Sequence, residues 1–374
     1  MSLLVIYNPA SGDRSAKQFF EEHVIPLLHQ HDKNPTNIAS TERAGHAGEL
    51  VKSHIAAHPG PVTVIIGSGD GTVHEIVNGL PEAAATRVDL VIVPLGTANA
   101  LYSSLFPPSG ADQDPTSYRL KGLSAFLTSA PPKPLTLAKT TLSSSSTVYS
   151  AVVTSTALHA SILHDSEALR ASMPGIERFK AAAAQNITRW YRASVTLHPP
   201  ISIYDPTAAA LTPRAQEPTT LHGPFAYFLS TVNVDRLEPL FRITPLAASS
   251  PPTAPALDLV VVRPLRDPAV SSDSADDREV FAQKAGRVLG EAYNNGNHVN
   301  LRYAPDRQPV TEGDGETVVE YFRCASFQWV PEGADDRAHL LCADGAIFNI
   351  AQSGKASCVA TSSTDNGITF SVYA

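Results

Sequence analysis

Val62, Thr63, Val64, Ile65 and Ile66 run straight into Gly67-Ser68-Gly69-Asp70-Gly71-Thr72, and this junction constrains the fold more than any other stretch of the chain. An uninterrupted β-branched run is the mark of a strand buried on both faces. The glycines after it allow positive φ and let backbone N–H groups approach an anion with no Cβ in the way. A helix through Leu80 follows, adding the dipole and unpaired amides of a helix N-terminus. The pattern repeats at residues 88–93, closed by Pro94-Leu95-Gly96-Thr97-Ala98-Asn99 and a helix to about residue 105, and residues 3–7 end in Asn8-Pro9-Ala10-Ser11-Gly12. Phe19, Phe20, His23, Val24, Leu27 and Leu28 recur at helical spacing, with Pro26 predicting a kink or an early break. Residues 45–58 read as a second helix with Leu50, Val51 and Ile55 on its apolar face. Strand, turn and helix in repetition predict an α/β domain with a parallel sheet and helices on both faces. Ligands of such sheets sit at the C-terminal strand ends, where all these turns fall.

From about residue 131 the texture changes. Short β-rich runs appear at 148–154, 193–197, 224–231, 257–262, 299–303, 320–329 and 338–342, separated by Pro/Ser/Asp-rich stretches such as 247–255 and 267–277, with helices near 167–188 and 277–293. This reads as an antiparallel β domain with long surface loops. A length of 374 residues also favours two domains, drawn at residues 1–130 and 131–374. The tail after Gln352 is small and polar and is expected to be loosely ordered.

Composition narrows the partners. A net charge of -8 argues against nucleic acid, and Lys and Arg form no cluster of the size that holds a protein to an anionic membrane by charge alone. Cys324, Cys342 and Cys358 are an odd number without C-x-x-C spacing, which fits a reducing compartment and neither a disulfide framework nor a zinc site. Residues 1–7 are too short for a signal peptide and read as a first strand, and no apolar run approaches the length of a membrane span.

Asp70 is the residue that points to chemistry. A carboxylate inside an anion cradle repels a phosphate, so its presence suggests a part in the reaction, accepting a proton from an attacking hydroxyl or holding Mg²⁺. The alternative is a tight turn with Asp70 as a cap. Thr72-Val73-His74-Glu75 likewise fits a capping box in which Glu75 holds the helix start. His74 has no partner at metal-ligand spacing and reads as structural. The turn at 94–99 offers Gly96 and the Thr97 hydroxyl to a phosphate or a ribose.

Asn8-Pro9-x-Ser11-Gly12, then Thr41-Glu42-Arg43 through His46-Ala47-x-Glu49-Leu50, then Ser68-Gly69-Asp70-Gly71 with His74-Glu75-Ile76-Val77-Asn78-Gly79-Leu80, and then Pro94-x-Gly96-x-x-Asn99-Ala100-Leu101 occur in that order. Together they resemble the diacylglycerol kinase catalytic family, most closely its sphingosine and ceramide kinases. Asp165-Ser166-Glu167-x-x-Arg170, Gly175-x-x-Arg178-Phe179, Phe327-x-Trp329 and Ala343-Asp344-Gly345 extend the likeness more thinly.

The resemblance implies an α/β nucleotide-binding domain followed by a β-sandwich, using ATP and Mg²⁺ to phosphorylate a lipid hydroxyl. It implies nucleotide contacts from Asn8, Pro9, Ala10 and Ser11, from Thr41, Glu42, Arg43, Ala44 and Gly45, and from Gly67, Ser68, Gly69, Gly71, Thr72 and Glu75. Gly96, Thr97 and Ala98, Arg170 and Arg178, and Asp344 and Gly345 complete that set. Asp70 is the implied general base, with Ser161 and Asp165 toward the lipid; no dedicated protein metal site is expected. The implied setting is a membrane surface visited by a cytoplasmic, peripherally attached enzyme without a transmembrane segment, with a homodimer left open.

Two departures bear on activity. The sphingosine and ceramide kinases carry an acid just before the Asp-Ser-Glu segment, where this chain has Ala160-Ser161-Ile162-Leu163-His164. Their Asp-Gly-Glu is Asp344-Gly345-Ala346 here. The primary hydroxyl of a sphingoid base, ceramide or diacylglycerol is the implied acceptor, in descending order of family resemblance, and losing an acid that pairs with a substrate amine lowers the first of them. The same losses leave open a nucleotide-binding pseudokinase that senses lipid. Similar turns in kinases of NAD and of sugar phosphates leave open a soluble acceptor.

Overall fold

The computed structural model describes residues 2–80, 85–97, 99–109, 114–143, 146–173, 175 and 177–374. Its first sheet is built on parallel strands β1 (Ser2–Tyr7), β2 (Asn37–Ser40), β3 (Val62–Ser68) and β4 (Arg87–Pro94), in the order β2-β1-β3-β4. Successive side chains go to opposite faces. Leu4, Ile6, Val64, Ile66, Leu90 and Ile92 join one core cluster, and Leu3, Val5, Ile65, Val91 and Val93 join another. Helices α1 (His46–Ala57) and α2 (Asp70–Asn78) lie over the first face. The other face is covered by Lys121–Leu127 and by the stretch Ala16–Phe19, Phe20–Val24 and Ile25–Gln30. That stretch is not broken at Pro26. Residues 20–24 widen into a π-helical turn, and Pro26 falls in the first turn of the next segment, where its missing N–H costs little.

The sheet continues past β4 with Thr369–Val372, parallel to β4, and ends on Lys133–Pro134. The tail is therefore structured rather than loose: Phe370 and Val372 are buried, and Ala356–Thr361 is a strand of the second layer system. Small residues conceal such strands because their burial comes from neighbouring strands and not from their own apolar bulk.

Two antiparallel sheets of eight and six strands form the sandwich. Phe327 and Trp329, alternate residues of strand Ser326–Pro331, both point inward. They meet Phe228 of the opposing sheet with ring centroids 5.0 and 5.2 Å apart. The helix expected over 167–188 divides into α4 (Ala157–Ala168) and α5 (Glu177–Asn186), after α3 (Ala100–Leu105) in the first half, and α6 (Ala275–Gly290) follows later. The β-rich runs at 299–303 and 338–342 begin as 3₁₀ turns, Asn297–Asn300 and Asp336–His339.

Asn78 joins the sheet domain to the sandwich. Its Nδ2 donates to the Tyr149 carbonyl and its Oδ1 accepts from the Tyr149 N–H, each at 2.8 Å, copying the pairing of a neighbouring strand. One side chain thereby positions α2, and with it Asp70, against strand Thr147–Ser150.

Candidate active site

The turns that end β2, β1, β3 and β4 stand side by side on one sheet edge. The turn at 8–12 is tied to β3, with Asn8 N donating to Gly67 O at 3.0 Å and Asn8 Oδ1 accepting from Ala10 N at 2.9 Å. Ser11, Ser68 and Thr72 form a chain of hydroxyls, Thr72 donating to Ser68 at 2.7 Å and Ser68 to Ser11 at 3.2 Å. Pro9 and Ala10 are exposed at its rim. On the β2 side, buried Thr41 donates its N–H to Tyr7 O at 3.0 Å, and Arg43 forks onto Glu49 at 2.8 and 2.5 Å. Glu42 and Ala44 are exposed, and Gly45 enters α1 in the left-handed region with φ 78°.

Gly96 and Gly69 touch through their backbones: a Cβ on Gly96 would lie 2.6 Å from Gly69 Cα. Asn99 holds the same turn, accepting from Gly96 N at 3.2 Å and donating to Gly96 O at 3.0 Å. Thr97 is exposed beside it, and Ala98 lies outside the described residues. By contrast, a Cβ on Gly71 would meet nothing within 4 Å, so that face of the cradle is open. Gly96→Ala must force the two turns apart. We expect it to weaken anion binding at the cradle about tenfold, the equivalent of a steric cost of about 1.4 kcal/mol; calorimetric titration with a nucleoside triphosphate giving wild-type affinity would refute the packing argument.

Gly69 is the N-cap of α2, so Thr72 already lies within the helix and the Thr72-x-x-Glu75 spacing makes no capping box. The Glu75 carboxylate instead accepts from Ala47 N at 3.4 Å, at the start of α1. Close approach permits this, since Gly48 and Gly79 meet where the helices cross.

Asp70 is the first residue of α2, and its carboxylate reaches across to the start of α3. Oδ2 accepts from Ala100 N at 2.7 Å and Oδ1 from Leu101 N at 3.2 Å. Part of its surface is open, but the side chain lies deep within the surrounding chain. Burial raises its carboxyl to about 7, the two amide bonds pull the other way, and the charge of Asp344 adds to the rise. A carboxylate has about four lone-pair sites, so two amide bonds leave room for a proton. A value near neutrality suits a general base.

Asp344 and Gly345 form the turn between strands Leu340–Ala343 and Ala346–Asn349, at φ 48° and 95°. An Asp-Gly pair with both φ positive is the usual chemistry of a tight hairpin. The fully buried Asp344 carboxylate accepts from the N–H groups of Ala151, Val152 and Val153 at 2.7, 2.9 and 2.8 Å, and lies 3.5 Å from His74 Nδ1. Its oxygens are engaged by the chain itself.

Arg170 is exposed and pairs with Glu167 at 2.7 Å. Arg178 is buried over the Phe179 ring at 4.6 Å with its Nε unpaired, and burial, aided by the charge of Arg170, lowers its pKa. Among the described residues no hydrogen bond or ion pair joins either arginine to the four turns. Ser161 is fully buried on α4 with an unpaired hydroxyl. Asp165 is held by Arg337 and Asn186 at 2.8 Å each and by His164 at 2.7 Å; burial opposes its charge, but these partners bring its carboxyl down to about 2.

Sequence reasoning read His74 as structural and assigned no role to Asn78 or His159. His74 and Asn78, four residues apart on one face of α2, could have been read from their spacing. His159 could not. Its Nδ1 lies 2.6 Å from Ser155 Oγ, and burial lowers the imidazole to about 4, so it is neutral at physiological pH.

Among the described residues no group of three His, Cys, Asp or Glu could hold a metal ion. Mg²⁺ commonly takes one or two carboxylates together with phosphate and water oxygens. The turns, with Glu42 as an exposed carboxylate and the Asp70 and Gly71 amides at the start of α2, fit a magnesium ion that arrives on phosphates. Among the described residues no helix is long and apolar enough to cross a membrane.

Residues 2–124 match the diacylglycerol kinase catalytic domain. Human sphingosine kinase 1 is 40% identical over 115 residues, 30% of this chain and 29% of that protein. Human sphingosine kinase 2 is 30% identical over 227 residues, 59% of this chain and 34% of that one. Human mitochondrial acylglycerol kinase is 31% identical over 110 residues, 28% of this chain and 25% of the relative. The chain thus matches about a third or less of the length of these curated relatives. A crystal structure of a diacylglycerol kinase from Bacillus anthracis str. Sterne superposes with a TM-score of 0.52 at 16% identity, covering 100% of this chain and 97% of that one, a likeness of fold.

Proposed function

We propose, from the premise that residues 2–124 belong to the diacylglycerol kinase catalytic domain family, that the whole chain is an ATP-dependent lipid kinase acting at a membrane surface. The observation that carries the reading is Asp70, a carboxylate raised to about 7 where the strand-end turns converge. The turns at 8–11, 41–45, 67–72 and 96–98 would hold the nucleotide. A magnesium ion on its phosphates would neutralise developing charge. Asp70 would take the proton of the lipid's primary hydroxyl. Asp344 would act by fixing residues 151–153 and α2 relative to one another, with Gly345 completing its turn. Arg178, buried with its Nε unpaired and in no ion pair among the described residues, is the better placed of the two arginines to meet a phosphate, since Arg170 is already paired. In this division of labour residues 1–130 serve the nucleotide and residues 131–374 the lipid, apart from 133–134 and 369–372, which return to the first sheet.

The acceptor we favour has an uncharged headgroup, ceramide or diacylglycerol rather than a free sphingoid base. Ser161 stands where the sphingosine and ceramide kinases carry an acid, His159 is neutral, and Asp165 is committed to Arg337. The test is label transfer from ATP to sphingosine, ceramide and diacylglycerol in mixed micelles, with NAD and sugar phosphates as soluble acceptors. Label in a neutral lipid above sphingosine supports the reading. Label confined to sphingosine overturns the headgroup argument, and label in a soluble acceptor overturns the lipid. ATP binding without transfer to any acceptor favours the pseudokinase, for which the alanine at 346 is the motivating residue.

A further inference from the structure

A second cavity, of about 480 Å³, shares no residue with the four turns. It lies where the segment entering strand Ala193–His198, the start of α6 and the turn before Leu340–Ala343 meet. Arg189, Arg192, Arg278 and Arg337 line it, against the carboxylates of Asp335 and Asp336. In number these charges balance, four guanidinium groups against Asp335, Asp336, Asp273 and the Arg337 partner Asp165, but they are unevenly paired. Arg192 and Arg278 share a single counter-ion, Asp273, at 2.7 and 2.6 Å. Arg189 has no ion-pair partner among the described residues. Asp335 turns its oxygens toward the N–H groups of Arg192, Arg337 and Ala338 but keeps its charge, so both Asp335 and Asp336 oppose an incoming anion. Trp190 forms part of the wall, 4% exposed, with its indole N–H unpaired and the Arg278 guanidinium 5.6 Å from its ring.

We propose that this cavity binds a phosphate group, either as a free phosphate or as the monoester headgroup of a lipid. Planar guanidinium forks match phosphate oxygens two at a time, and four of them around one cavity give the multiple donors that a dianion needs. Arg189, without an ion-pair partner among the described residues, supplies the attraction, and the paired arginines offer their remaining N–H groups. Arg337 belongs both to this wall and to the Asp165 ion pair on α4, so occupancy is coupled to the helix that carries Ser161. The site itself does not rest on the lipid kinase reading.

The test uses the full chain and the fluorescence of Trp190, the other tryptophan, Trp329, being fully buried and bonded to Ala338 O. Inorganic phosphate is titrated against chloride at matched ionic strength, and in a second arm vesicles of phosphatidylcholine carrying phosphatidic acid are compared with vesicles carrying phosphatidylglycerol. Arg189→Ala removes an exposed side chain that has no ion-pair partner among the described residues, so the fold should be unaffected. Saturable quenching by phosphate that weakens about tenfold in Arg189→Ala, as expected for one lost charged contact, supports the site and assigns free phosphate. Binding only to phosphatidic acid vesicles, with the same dependence on Arg189, supports it and assigns a lipid headgroup. A response that chloride reproduces, that Arg189→Ala leaves intact, or that neither arm produces overturns the proposal.

Discussion

Asp70→Asn is expected to lower kcat/KM for lipid phosphorylation by about 10³-fold, the scale of a lost general base. ATP affinity should be little changed, because the cradle is made of backbone and hydroxyl groups. Asn can still accept one of the two amide bonds from Ala100 and Leu101, so the local structural cost should be near 1 kcal/mol. Wild-type kcat/KM should rise with pH through about 7, the region in which the Asp70 carboxylate loses its proton. Below that region it should fall about tenfold per pH unit, since only the deprotonated form can accept the hydroxyl proton. Retained activity in the variant would remove Asp70 from the proton transfer, and a flat wild-type profile between pH 6 and 8 would remove the raised carboxyl.

Asp344→Ala is expected to produce the largest loss of stability of any single change at the site. Three buried N–H groups, of Ala151, Val152 and Val153, would lose a charged acceptor in a place that water does not reach. Each such loss costs about 1–3 kcal/mol, so the sum is on the order of 5 kcal/mol. Urea unfolding should show the midpoint falling sharply, and a change below about 1 kcal/mol would mean that the segment at 151–153 relaxes to find other partners. The milder Asp344→Asn separates charge from structure. It removes a negative charge that favours the protonated form of Asp70, so the acid limb of the rate profile should move to lower pH. An unmoved limb in a folded Asp344→Asn protein would show that burial alone raises Asp70.

Much of the site is legible in the chain because it is local. The run at 62–66 and the turn at 67–72 are contiguous, and a buried parallel strand must end in a turn that leads to a helix. Gly12, Gly69 and Gly96 are readable as close-approach positions, although which backbone each one meets is not. Glu75 is the instructive case. Its spacing from Thr72 fits a cap on its own helix, yet the close crossing at Gly48 and Gly79 brings the N-terminus of α1 within reach, and the carboxylate goes there. Spacing states what a side chain could bond within its own element. It does not state what another element will bring nearby.

The parallel α/β half, the strand-end location of the cradle and the candidacy of Asp70 are all written in short stretches of the chain, since each follows from backbone sterics and from local runs and spacings of apolar residues and glycines. Only the tertiary structure decided that residues 369–372 complete the first sheet beside β4, that Asp344 grips residues 151–153 beside Asp70, and that Arg189, Arg192, Arg278 and Arg337 face one cavity. These are contacts between segments far apart along the chain. Their formation depends on the burial gained by whole sheets and helices packing together, a sum over many residues that no short stretch of sequence carries.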